Sequence, residues 1–184
     1  RLVPLRARHA LQGDAEDLWA KLGDEQDRPV TGDWDGDGKD DVGVFRPGTF
    51  GKFLLRQPRR VFAHLQVTII TTISFDFGTT GDLPVAGDWD GDGVETTGVY
   101  HPGDPGSFLL GNSFTSTVDF NFTFGSLDDL PLAGDWIGQG KDGVGVFIPS
   151  GQIMVLATDA GGKPGIVVTF GQPGDLPVAG SWLP

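Results

Sequence analysis

Asp33, Asp35, Asp37 and Asp41 occupy positions 1, 3, 5 and 9 of the run Asp33-Trp-Asp35-Gly-Asp37-Gly38-Lys39-Asp40-Asp41. Alternate carboxylates in a tight loop turn inward together, and Gly36 and Gly38 let the backbone curl around them. Ca²⁺ takes about six to eight hard oxygen ligands at roughly 2.3–2.6 Å, and this spacing meets that demand, with the Lys39 carbonyl at position 7 adding a neutral oxygen. Without a cation the same carboxylates repel one another. The loop is therefore expected to hold Ca²⁺ through Asp33, Asp35, Asp37, Lys39 and Asp41.

Two further loops carry the pattern with losses. Asp88-Trp-Asp90-Gly-Asp92-Gly93-Val94-Glu95-Thr96 keeps positions 1, 3 and 5 but has Thr at position 9. One anionic ligand fewer lowers the expected affinity. The site is read as Asp88, Asp90, Asp92, the Val94 carbonyl and Thr96, with water or a swung-in Glu95 as substitutes for the last. Asp135-Trp-Ile137-Gly-Gln139-Gly140-Lys141-Asp142-Gly143 has apolar and neutral side chains where carboxylates should stand. No ion is expected there.

The loops belong to a repeat. Gly32-Asp33-Trp34, Gly87-Asp88-Trp89, Gly134-Asp135-Trp136 and Gly180-Ser181-Trp182 recur with steps of 88 − 33 = 55, 135 − 88 = 47 and 181 − 135 = 46 residues. Upstream of each Trp the register holds without gaps, from Leu22-Gly23, Phe77-Gly78, Phe124-Gly125 and Phe170-Gly171 to Pro29-Val30, Pro84-Val85, Pro131-Leu132 and Pro177-Val178. Such a step suits one four-stranded propeller blade. The first strand of a unit is the Pro-Val-Ala-Gly-Asp-Trp segment and the second follows the acidic loop, as in Gly98-Val99-Tyr100. The third is Phe53-Leu55, Phe108-Leu110 or Ile153-Leu156. In the fourth, Val118, Phe120, Phe122 and Phe124 alternate with polar residues, the period of a strand with one buried face.

The expected fold is all-β, with blades of four antiparallel strands at about 29–77, 84–124 and 131–170, a first strand at 177–184, and an N-terminal segment 1–22 that is a partial outer strand or a short helix capped by Asp14. Propellers close with roughly 4–8 blades, so three complete blades leave edges that favour pairing. The start at Arg1, without Met or a leader pattern, is that of a processed product or of part of a longer protein.

Composition agrees with this class. Thirty Gly and 13 Pro exceed what helices tolerate. A net charge of −12 argues against nucleic acid or an anionic membrane as partner and favours cations. The absence of Cys excludes disulfides and thiolate chemistry. The most apolar stretch, Val67 to Phe77, is interrupted by Thr72, Ser74 and Asp76 and is too short for membrane insertion.

Other chemistry is weakly marked. One Trp per repeat at loop position 2 fits packing between blades better than sugar stacking. His9, His64 and His101 lack any nucleophile or metalloprotease motif, and the clustered acids are accounted for as ligands, so no catalytic residue is assigned. The first repeat is about eight residues longer than the next, the excess lying between its third and fourth strands, where Arg56, Arg59 and Arg60 form a basic cluster. A solvated hairpin explains it better than an anionic partner. Val67 to Ile73 is uncharged and β-branched, a strand apt to recruit another.

These motifs resemble the FG-GAP repeats of integrin-α-type propellers and the related bacterial VCBS-type repeats over about residues 19 to 182. Phe77-Gly78, Phe124-Gly125 and Phe170-Gly171 match the Phe-Gly element, and Asp33 to Asp41 matches the calcium motif. The Gly-Ala-Pro element stands only as Phe45-Arg46-Pro47, Tyr100-His101-Pro102 and Phe147-Ile148-Pro149, nearer the bacterial variants. The resemblance implies a secreted or cell-surface, calcium-stiffened adhesion module that binds a protein or glycan and is no enzyme. Two alternatives stay open: a subunit that self-assembles through its open blade edges as a homo-oligomer, and an accessory propeller of a larger secreted enzyme.

Overall fold

The computed structural model describes residues 22–61 and 67–180. Among them are twelve strands and no helix. Strands β1 (Arg28–Gly32), β2 (Asp41–Arg46), β3 (Lys52–Val61) and β4 (Val67–Asp76) form one sheet; β5 (Leu83–Gly87), β6 (Thr96–His101), β7 (Ser107–Leu110) and β8 (Phe120–Thr123) a second; β9 (Leu130–Gly134), β10 (Gly143–Ile148), β11 (Ile153–Ala157) and β12 (Pro164–Thr169) a third. Each is an antiparallel meander in sequence order. The repeat is thus realised three times as a blade-like sheet.

Alternation decides which side chains meet between sheets. In β3, Phe53, Leu55 and Gln57 are buried while Lys52, Leu54 and Arg56 are only partly so. Phe53, Leu55, Phe45, Trp34, Phe75 and Phe77 pack onto Val99 of the second sheet. Tyr100, Phe108, Leu110, Trp89 and Phe124 of the second sheet pack in the same way onto Val144 and Val146 of the third. β1 lies beside β5 and β5 beside β9, so first strands neighbour first strands, as in blades set around an axis. The buried Trp34 and Trp89 serve packing, at 1% and 0% exposure.

The third sheet repeats the face but not the cover. Leu132, Phe147 and Leu156 form a small cluster with Trp136, Met154 and Ile166 at its margin. Phe170, the counterpart of Phe77 and Phe124, is 70% exposed, against 5% and 8% for those two.

Several expectations need correction. Pro177 to Trp182 carries the signature of a first strand, yet residues 177–180 form none, and Leu176 and Val178 are exposed; Ser181 and Trp182 lie outside the described residues. Every other first strand takes its ladder from the second strand of its own sheet, and within the described residues no such strand lies beside this one. Val118 is exposed and outside β8; the residue after it, Asp119, donates its amide to Leu110 O at 2.8 Å and accepts from Asn112 N at 2.7 Å through its carboxylate. The strand-or-helix expectation for residues 1–22 lies outside the described residues except at Leu22, which is in neither a strand nor a helix. The extra length of the first repeat enters the β3–β4 hairpin, whose strands pair continuously from Lys52↔Asp76 to Val61↔Val67. That leaves β4 as an edge strand.

Candidate metal site

Each acidic loop joins the first strand of a sheet to the second. The hinge is the position-1 aspartate. Asp33 Oδ1 accepts from Gly36 N at 2.8 Å and Asp37 N at 3.0 Å, and Oδ2 from Gly38 N at 2.6 Å. Asp88 does the same with Gly91, Asp92 and Gly93 at 2.7, 3.1 and 2.9 Å. Gly36 and Gly38 have φ of +72° and +82°, a region costly for side chains with a Cβ. The glycines at positions 4 and 6 thus serve the curl as expected.

The loop brings Asp33, Asp35 and Asp37 together, with one carboxylate oxygen from each within 4.8 Å of the others. Lys39 Nζ lies 2.9 Å from Asp37 Oδ2, both side chains exposed. Asp41 is not a loop residue but the first of β2. It is 9% exposed, and its Oδ2 has no hydrogen-bond partner. Burial, and then Asp35, Asp37, Asp33 and Asp40, push its carboxyl up to about 7. Asp41 is not one of the three carboxylates that converge within 4.8 Å, but a buried carboxylate oxygen without a donor that feels the charge of all three suits a nearby cation.

The second loop differs in its ninth place. Asp88, Asp90 and Asp92 again converge within 4.8 Å. Thr96 is the first residue of β6, buried, and its Oγ1 donates to Gly111 O at 2.8 Å. Asn112, just beyond β7, donates its side-chain amide to Asp90 Oδ2. Sequence reasoning missed Asn112, because nothing in a loop motif points to a residue 22 positions away. Glu95 does not swing into its own loop; its backbone N donates to Asp33 O of the first loop at 2.9 Å. Burial, Asp142 and Asp40 push Glu95 up to about 7.

In the third loop only Asp135 remains, its carboxyl held low by the amides of Gln139 and Gly140. Ile137 is 46% exposed. Position 9 has no room for a ligand, since a Cβ on Gly143 would stand 2.0 Å from Ala157 O. Among the described residues there is no third acidic triad.

A second recurring carboxylate escaped notice in the sequence. Asp27, Asp82, Asp129 and Asp175 each accept from the amide three residues earlier, at 2.8, 2.7, 2.9 and 2.9 Å, and the first three of these turns lead to a first strand. Gly23, Gly78 and Gly125 open these turns with φ near +80°. In the first sheet Asp27 binds Arg46; in the second, Asp82 Oδ1 lies 2.6 Å from His101 Nδ1. His101 is thus a turn brace, a strand's length from the acidic loop, while His9 and His64 lie outside the described residues.

No protein-family model matches the chain, and neither the curated proteins nor the solved structures contain a match. What fold and site define is an all-β chain of blade-like sheets carrying two acidic triads.

Proposed function

We propose that the chain is an extracellular Ca²⁺-binding β-propeller module of the FG-GAP/VCBS type, whose calcium loops stiffen the blades while other loops meet a protein or glycan partner. The observation that carries the metal reading is the convergence of one carboxylate oxygen each from Asp33, Asp35 and Asp37 within 4.8 Å, with the buried Asp41 Oδ2 left without a donor at the start of the next strand. Those four residues and the Lys39 carbonyl would hold the first ion; Asp88, Asp90, Asp92 and the Val94 carbonyl would hold a weaker second one. The ion would supply positive charge to a cluster that otherwise repels itself. Asp33 and Asp88 keep their loops curled through backbone amides, so the carboxylates start close to a binding arrangement. Isothermal calorimetry with CaCl₂, paired with thermal melting, tests this. One strong and one weaker site with a raised melting temperature are expected; no heat and no shift would overturn the reading.

A second reading has its own observation, the exposure of Phe170 where Phe77 and Phe124 are covered. A further blade of the same repeat, supplied by a second copy, would cover Met154 and Phe170 as the second and third sheets cover their predecessors. Light scattering over a range of concentrations decides it. A mass that rises with concentration and falls back in Met154→Glu supports assembly, and a constant monomer mass rejects it.

A further inference from the structure

Position 8 of the acidic loop is Asp40, Glu95 and Asp142 in the three repeats, acidic each time although position 9 varies from Asp to Thr to Gly. The structure shows where two of these acids reach. Asp142 N donates to Asp88 O at 2.8 Å, and Asp142 Oδ2 accepts from Asp88 N at 2.9 Å. Glu95 N donates to Asp33 O at 2.9 Å, and the Glu95 carboxylate lies against the backbone at Gly32, just before Asp33. Both backbone polar groups of Asp88, and the carbonyl of Asp33, are therefore held by the loop of the following sheet.

The glycine before each position-1 aspartate makes room for this clasp. A Cβ on Gly32 would stand 2.6 Å from Glu95 Oε2, and one on Gly87 would stand 3.0 Å from the Asp142 Cβ. At Gly134 the nearest atoms are those of Trp136 alone, and Asp135 is exposed, because among the described residues no following loop covers it. The loops also touch directly, with Val94 Cγ2 3.2 Å from a Cβ built on Gly36 and Gly140 O 3.2 Å from one on Gly91.

An acid is an unfavourable choice for a site facing other acids, since like charges repel. Its retention in all three repeats points to the hydrogen bonds. The carboxylates of Asp33 and Asp88 are aimed by their own backbone, which the clasp immobilises. Partners of this kind, one step removed from a metal, typically alter affinity by about 10–100-fold.

We propose that Glu95 is a positioning residue for the Asp33–Asp41 loop and Asp142 for the Asp88–Thr96 loop, so that each blade tunes the calcium affinity of the blade before it. The proposal rests on the reading of both loops as calcium sites. Terbium luminescence sensitised by Trp34 or Trp89, with competition by CaCl₂, reads the loops separately when Asp92→Asn silences the second or Asp37→Asn the first. Glu95→Ala should weaken the first loop about tenfold and leave the second unchanged, and Asp142→Ala should do the reverse. Glu95→Gln, which keeps the length of the side chain and a carbonyl acceptor at its end, should stay within about twofold of the unaltered chain. Glu95→Ser takes the place of alanine, with the same expectation, if the alanine variant does not fold. Unchanged first-loop affinity in Glu95→Ala, equal loss in both loops, or a Gln variant as weak as the Ala one would overturn the clasp alone. Failure of the unaltered chain to take up Ca²⁺ would overturn the calcium reading and the clasp with it.

Discussion

Gln57, buried in β3, donates its side-chain Nε2 to the backbone carbonyl of Trp34 at 2.6 Å. The bond ties the third strand of the first sheet to position 2 of the acidic loop. Gln57→Leu keeps the volume but leaves that carbonyl without its partner, at an expected loss of about 1–3 kcal/mol in urea unfolding. A loss no larger than that of an exposed substitution such as Lys163→Leu would show that water serves the carbonyl equally well.

The third loop should be convertible. Ile137→Asp with Gln139→Asp restores carboxylates at positions 3 and 5, and Asp135 already curls the backbone through Gln139 and Gly140 at 3.0 and 2.6 Å. One added weak site, comparable to the second loop, is the expected change in calorimetric stoichiometry. Adding Gly143→Asp should harm instead of helping, because its Cβ would lie 2.0 Å from Ala157 O, and a destabilisation of about 3 kcal/mol or more is expected.

Equivalent phenylalanines should differ in worth. Phe124 is buried against the third sheet and Phe170 is 70% exposed. Phe124→Ala should cost about 3–5 kcal/mol and Phe170→Ala no more than about 0.5 kcal/mol in the monomer. Equal costs measured at low protein concentration would mean that Phe170 is covered in solution.

Acid should loosen the first turn through Asp27. The Arg46 guanidinium, bonding both carboxylate oxygens at 2.9 and 2.8 Å, holds the Asp27 carboxyl below its ordinary value of 3.8. A lowered folded value means that the stabilisation is full above 3.8 and fades as the pH falls through the lower folded value. Arg46→Met should therefore be destabilising at pH 7, with a penalty that shrinks as the pH falls below 3.8, as read by chemical denaturation across that range. An equal penalty at both ends would assign the effect to the packing of the arginine stem.

Much of the fold lies open in the amino-acid order because it is local. The alternation of Phe53, Leu55 and Gln57, the recurrent Gly-Asp-Trp and the spacing of Asp33, Asp35 and Asp37 are set by strand period and loop curl, which neighbouring residues dictate. The three sheets and the two converging triads stand where that order placed them. Position 9 was legible by residue type but not by surroundings: Asp41 is an orphan on β2, whereas Thr96 is turned toward Gly111.

The remaining features depend on residues distant along the chain. Gln57 meeting Trp34, Asn112 meeting Asp90, and Asp142 meeting Asp88 each join elements that only the meander and the stacking of sheets bring side by side. The same holds for Phe170 and for Pro177 to Gly180, whose repeat signature equals that of their buried counterparts. Sequence by itself determined the repeat, its strands and the carboxylates of each loop, because strand period and turn chemistry act over a few residues. Tertiary structure alone decided which of those groups are covered, paired or left without a partner, because burial and a hydrogen bond both require a second surface.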